Sequence, residues 1–135
     1  MQELARAVLD AYERRDLPAL RALALSEPEF RDHVWPELPA ARPERHLPLS
    51  YVWGDLRQKS EQRLSELVTR YGGRRWTLVQ VEARGGTSRY RSYLVHRDTV
   101  LVVRDADGRE RRLRLYGSTF ERDGAFKVFS YAVDD

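Results

Sequence analysis

At Gly72-Gly73-Arg74 the chain changes its hydrophobic rhythm, and that change constrains the fold more than any other feature. Before it, apolar residues recur every three or four positions, the period of a helix; after it they alternate, the period of a strand. Short strands separated by turn signals, with no helical stretch between them, form hairpins rather than parallel crossovers. The expected fold is therefore α+β, with N-terminal helices packed on an antiparallel sheet of four to six strands.

The helical half divides at its caps. Leu4, Ala5, Val8, Leu9 and Tyr12 share one face of a helix over residues 2–15. Asp16 is placed to cap a second short helix, with Pro18 in its first turn and Leu17, Leu20 and Leu23 along it. Ser26 and Glu29 have capping-box spacing, which predicts a third short helix to about Val34. Pro36, Pro39, Pro43 and Pro48 make residues 36–50 an irregular arm, and Leu38, Leu47 and Leu49 imply that it packs across the domain. Asp55 and Gln58 have the spacing of another capping box. Leu56, Leu64, Leu67, Val68 and Tyr71 then predict a helix over 55–71.

Alternation predicts strands at about 75–84, 88–96, 99–104, 110–118 and 126–133, with turns at Gly85-Gly86, Asp105–Gly108 and Asp123-Gly124. Parity assigns Thr77, Val79, Val81, Ala83, Tyr90, Leu94, His96, Leu113 and Leu115 to the covered face. Arg89, Arg91, Tyr93, Arg112 and Arg114, with Tyr116, fall on the wet face. The last strand is apolar on both sides (Phe126 and Val128; Phe129, Tyr131 and Val133) and is expected to be central or covered.

A chain of 135 residues fits one domain. It has no cysteine, so disulfides and thiolate metal sites are excluded. The net charge is +3 and the pI about 9.4, yet the 24 basic residues are 22 Arg and 2 Lys, and Ile and Asn are absent. A GC-rich, bacterial-type codon bias accounts for that pattern without a polyanionic partner. The arginine-rich sheet face reads as solvated and cross-paired, and no nucleic-acid role is expected of it, although an aromatic-arginine platform for single-stranded RNA is the rival reading. No apolar run is long enough to enter a membrane. The start of the chain carries no basic, apolar leader. The cytoplasm is the default location, with a secreted or periplasmic one open if a leader was removed.

His33, His46 and His96 lie too far apart for a metal pair, so no metal and no cofactor are expected. His96-Arg97-Asp98 matches a kinase triplet by chance, and Asp105-Ala106-Asp107-Gly108 is a hairpin turn rather than a calcium loop. Trp35, Tyr51 and Trp53 bracket the proline-rich arm. They either anchor the arm to the domain or, with Tyr90 and His96, line the mouth of a pocket.

Residues 5–20 (Ala-Arg-Ala-Val-Leu-Asp-Ala-Tyr-Glu-Arg-Arg-Asp-Leu-Pro-Ala-Leu) resemble the first helix pair of the nuclear-transport-factor-2-like superfamily. Residues 121–131, with Gly124, Phe126 and Lys127, are similar to its last hairpin. The resemblance implies one cone-shaped domain over 1–135, in which a strongly curved sheet wraps the helices and a pocket opens between the long helix and the concave face. It also implies a small apolar or aromatic ligand, or a partner segment, and a homodimer through the outer face. No Asp or Tyr falls on the isomerase-like acid and base positions, so the catalytic residues stay unknown. A pocket enzyme of isomerase or cyclase type, with His96 or a buried acid as base, is the alternative.

Overall fold

A computed structural model describes residues 1–132; Val133, the end of the last expected strand, lies outside them. Helix α1 (Gln2–Glu13) buries Leu4, Ala5, Val8, Leu9 and Tyr12, the face its spacing predicts. The Asp16 carboxylate accepts the Ala19 N–H and starts α2 (Leu17–Ala22). The capping box forms in full. Ser26 Oγ accepts the Glu29 N–H and Glu29 Oε1 accepts the Ser26 N–H, starting α3 (Glu27–Glu29). That turn runs on through a wide helical turn at Phe30–Val34. Three single 3₁₀ turns follow, each beginning at or beside a proline: Trp35–Glu37, Pro39–Ala41 and Pro43–Arg45.

Helix α4 (Leu49–Tyr71) starts six residues before the predicted position. Pro48, extended with φ −67° and ψ 141°, sets the start, and no side chain caps it. Asp55 is therefore a mid-helix residue, paired with Lys59 one turn on at 3.0 Å, and Gly54 is helical. At about 1.5 Å per residue the helix spans about 34 Å.

All pairings among the seven strands are antiparallel. Strands β1 (Thr77–Ala83), β4 (Thr99–Arg104) and β5 (Glu110–Leu113) form one sheet, in the order β1-β4-β5. Strands β2 (Thr87–Arg89), β3 (Leu94–His96), β6 (Thr119–Arg122) and β7 (Ala125–Val128) form the other, in the order β2-β3-β6-β7. Backbone bonds carry on between the two: Gly85 N–H donates to Arg97 O and Thr99 N–H to Gly117 O, at 3.0 and 2.9 Å. The sheets are thus one meander of long strands, kinked where β1 meets β2, β3 meets β4 and β5 meets β6.

Glycine is required along that line of kinks. A methyl group at Gly85 would stand 2.8 Å from Arg97 Cβ, and one at Gly117 would strike the Ala132 carbonyl oxygen. Gly85-Gly86 is therefore a kink within a strand, not the expected hairpin turn. The turn falls instead at Tyr90–Tyr93, where Tyr90 N–H donates to Tyr93 O. The Asp105–Gly108 turn is confirmed as a hairpin turn: Asp105 Oδ1 accepts from the N–H groups of Asp107 and Arg109, both at 2.9 Å.

Three interruptions overturn the simple parity of faces. A bulge between Leu78 and Gln80 leaves Val79 exposed and turns Leu78 inward beside Val81. The turn at 90–93 brings Tyr93 into the core, and the kink near Gly117 does the same for Tyr116. Leu113 and Leu115 are buried as predicted, with Arg112 and Arg114 exposed between and beside them. The central strand is β4, buried on both faces from Val100 to Val103, not the last strand. Strand β7 is instead covered along its edge, where Leu25 N–H donates to Val128 O and Val128 N–H to Leu23 O.

The buried side chains form two separate clusters. The first joins α1, Leu20, Leu64 and Leu67 of α4, and Leu101, Val103, Leu113 and Leu115 of the first sheet. The second joins Leu25, Phe30, Val34, Tyr93 and Phe120, with Trp35, Leu38, Leu49, Val52, Trp53, Leu56 and Phe129 half-buried around it. Helix α4 serves both, its C-terminal half in the first cluster and its N-terminal half in the second.

Candidate functional site

The arm is held where its prolines alone would not place it. Glu37 accepts the N–H of Arg91 at 2.6 Å and the hydroxyl of Ser92 at 2.9 Å, so an arm carboxylate closes a hairpin turn that lacks glycine. Burial opposes the charge on Glu37, but these donors outweigh it and hold its carboxyl below the ordinary range. Ahead of the arm, Glu29 at the end of α3 meets Lys127 of β7 at 2.7 Å. Burial again opposes the charge on Glu29, and the bonds from Lys127 and Ser26 more than compensate, lowering its pKa.

Beside these ties the two tryptophans that bracket the arm pack on Phe30: Trp53 of α4 at 5.1 Å between ring centroids and Trp35 at 6.2 Å. Tyr90 stacks on Tyr93 at 4.5 Å and 12°, and Tyr93 leans on Phe120. Burial pushes the Tyr93 phenol well above its usual pKa, so it stays neutral.

Beside this cluster lies an open groove of about 260 Å³. Its apolar lining comes from Leu25, Trp53, Leu56 and Phe129, and its polar rim from Arg21, Arg57, Ser60 and Glu61. The fold delivers these residues from four places: the last turn of α2, the link after it, one face of α4, and the segment following β7. Ser60 Oγ accepts the Tyr131 N–H at 2.9 Å, tying that segment to the helix. Arg21 Nε meets both carboxylate oxygens of Glu61, at 2.9 and 3.1 Å.

The five residues expected around one cavity are not brought together. Trp53 lines the groove, while Trp35 and Tyr90 pack in the cluster beside it. Tyr51 is 67% exposed on α4. His96 lies opposite Thr119 in the ladder, and so on the sheet face away from Val95 and Phe120, which belong to the second cluster. There its Nε2 meets Glu121 Oε1 at 2.8 Å and its Nδ1 meets Thr87 Oγ1 at 2.9 Å. His33, in the wide turn Phe30–Val34, and His46, on the arm, stand apart from it, His46 exposed with φ 52°. No three His, Asp or Glu side chains gather as a metal site among the described residues, and no helix is long and apolar enough to cross a membrane.

The groove residues that sequence reasoning missed include Arg21, Leu25, Arg57, Ser60, Glu61, Phe129 and Tyr131. The apolar doubling of the last strand was the one signal for Phe129 and Tyr131. Arg57 and Ser60 carried none, because helix spacing alone does not distinguish a groove rim from a wet face.

Set against known protein families, curated proteins and solved structures, the chain matches none of them.

Proposed function

We propose that this chain is a non-catalytic binding domain that holds a small apolar or aromatic molecule in the groove beside Trp53. The observation that carries this reading is the groove's composition. Four large apolar side chains line a concave space open to solvent, with a few convergent polar groups on its rim. The order of elements, helices and then an antiparallel meander with the groove against the long helix, supports a cone-shaped, nuclear-transport-factor-2-like arrangement.

Binding is favoured over catalysis by where the histidine lies. A base at His96 works on the opposite face of the second sheet and does not reach a ligand beside Trp53. The groove's own carboxylates, Glu27 and Glu61, are already paired with Arg31 and Arg21.

The reading is tested by a thermal-shift screen of small aromatic and aliphatic compounds, since a ligand that binds only the folded chain raises its Tm. Hits should protect the wild type and lose most of that effect in Trp53→Ala. Protection that survives Trp53→Ala, or the lack of any hit, contradicts the proposal.

A further inference from the structure

We infer that the ligand is a small monocarboxylate whose apolar body lies on Trp53 and whose carboxylate is held by Arg57 and Arg21; this rests on the groove being a ligand site. The rim's charge is the argument. Four of its ionised groups are Arg21, Arg57, Glu27 and Glu61. Both acids already have a cation: Glu61 faces Arg21, and Glu27 faces Arg31 at 3.4 Å.

Arg57 has no ion-pair or hydrogen-bond partner among the described residues. Glu61 engages only the Nε of Arg21, leaving both terminal nitrogens of that guanidinium without a partner among them. Ser60 uses its oxygen as an acceptor for Tyr131 N–H, so its own O–H remains able to donate. The rim therefore offers two guanidinium groups and a hydroxyl as donors, while both Glu61 oxygens and Glu27 Oε2 are already engaged by arginines. Guanidinium groups match a carboxylate through paired N–H donors, and such charged bonds are about twice as strong as neutral ones.

Size narrows the class further. About 260 Å³ lies just under the range of pockets that enclose drug-sized molecules, so one ring or a short chain fits and a polycyclic skeleton does not.

Phenylacetate and its neutral isostere phenylacetamide separate this inference from the reading beneath it. Titrations followed by thermal shift and by Trp fluorescence should show phenylacetate binding on the order of tenfold more tightly, with the gap shrinking as salt rises. Arg57→Gln should abolish the preference and leave the Tm of the free protein unchanged, because the residue is an exposed helical position where Gln is tolerated. Glu61→Gln should tighten phenylacetate by releasing Arg21 and removing a negative charge. Equal binding of acid and amide, or a preference that persists in Arg57→Gln, overturns the inference while the groove stands. If neither compound binds the wild type, at concentrations where other aromatic fragments do, the inference also fails. If no fragment binds at all, groove and inference fall together.

Discussion

The two clusters of buried side chains are built to different standards of closure. In the first, regular helices and a doubly buried strand leave side chains such as Val8, Tyr12, Leu101, Val103 and Leu115 without measurable exposure. Two of its three buried tyrosine hydroxyls are used internally: that of Tyr12 donates to Leu115 O at 2.8 Å and that of Tyr131 to Leu20 O, while Tyr116 Oη and Trp76 Nε1 are buried without a partner among the described residues. In the second, only five residues are buried, the surrounding aromatics are half-open, and the wall is an arm of single 3₁₀ turns. Regular elements close a core because their side chains repeat in register; an irregular arm leaves gaps at its edges. The fully buried side chains are concentrated in the first cluster, and the open groove borders the second.

The largest effect that sharpens this contrast is in the closed cluster. Leu101→Ala should cost about 2–5 kcal/mol in urea unfolding, the range for a buried leucine that leaves a cavity. Trp53→Ala removes a larger side chain from the open cluster and should nonetheless cost only about 1–2 kcal/mol. The groove already exposes one side of that ring, so the cost stays below the 3–5 kcal/mol of about fully buried Trp. If Trp53→Ala proves the more damaging of the two, the comparison is inverted.

Gly54 gives a smaller effect of opposite sign. It is exposed within α4, and an added methyl group would meet nothing within 4 Å. Gly54→Ala should stabilise the protein by about 0.5–1 kcal/mol, read as a higher urea midpoint at unchanged slope.

The smallest effect concerns the tie between α3 and β7. The folded-state pKa of Glu29 is lowered, so its contribution is complete above the unfolded value, near 4.5, and is lost as pH falls through the folded one. Between pH 6 and pH 3 the wild type should therefore lose more stability than Glu29→Gln. The difference should be about 1 kcal/mol or less, because the pair with Lys127 is partly exposed. Parallel loss in the two proteins would show that the tie contributes nothing.

What could be read from sequence follows the same division. Most of the closed cluster was legible: α1 by its spacing, α2 by Asp16, and β4 by an unbroken apolar run, all local signals; the exceptions there are Tyr116 and the Leu78–Val79 bulge. The start of α3 was legible too, through Ser26 and Glu29. The open cluster was not. Helix α4 starts at Leu49 without a capping side chain, and the Asp55–Gln58 spacing offered a false start. The turn at Tyr90–Tyr93 has no glycine or proline because Glu37, more than fifty residues away, supplies its acceptors. The bulge at Val79 changes which face a side chain takes without any residue that marks it. His96 was placed on the pocket face by unbroken alternation along 88–96, and the turn inside that stretch removes the premise.

Native-state hydrogen exchange tests the central claim most directly, because it measures how much free energy each region needs to open. Amides of β4 and of the C-terminal half of α4 should exchange only through global unfolding, with opening energies equal to that from urea. Amides of residues 30–53 should open at a distinctly lower energy, and phenylacetate should raise protection there first. Equal opening energies in the two regions, or an arm as protected as β4 without ligand, would contradict the account.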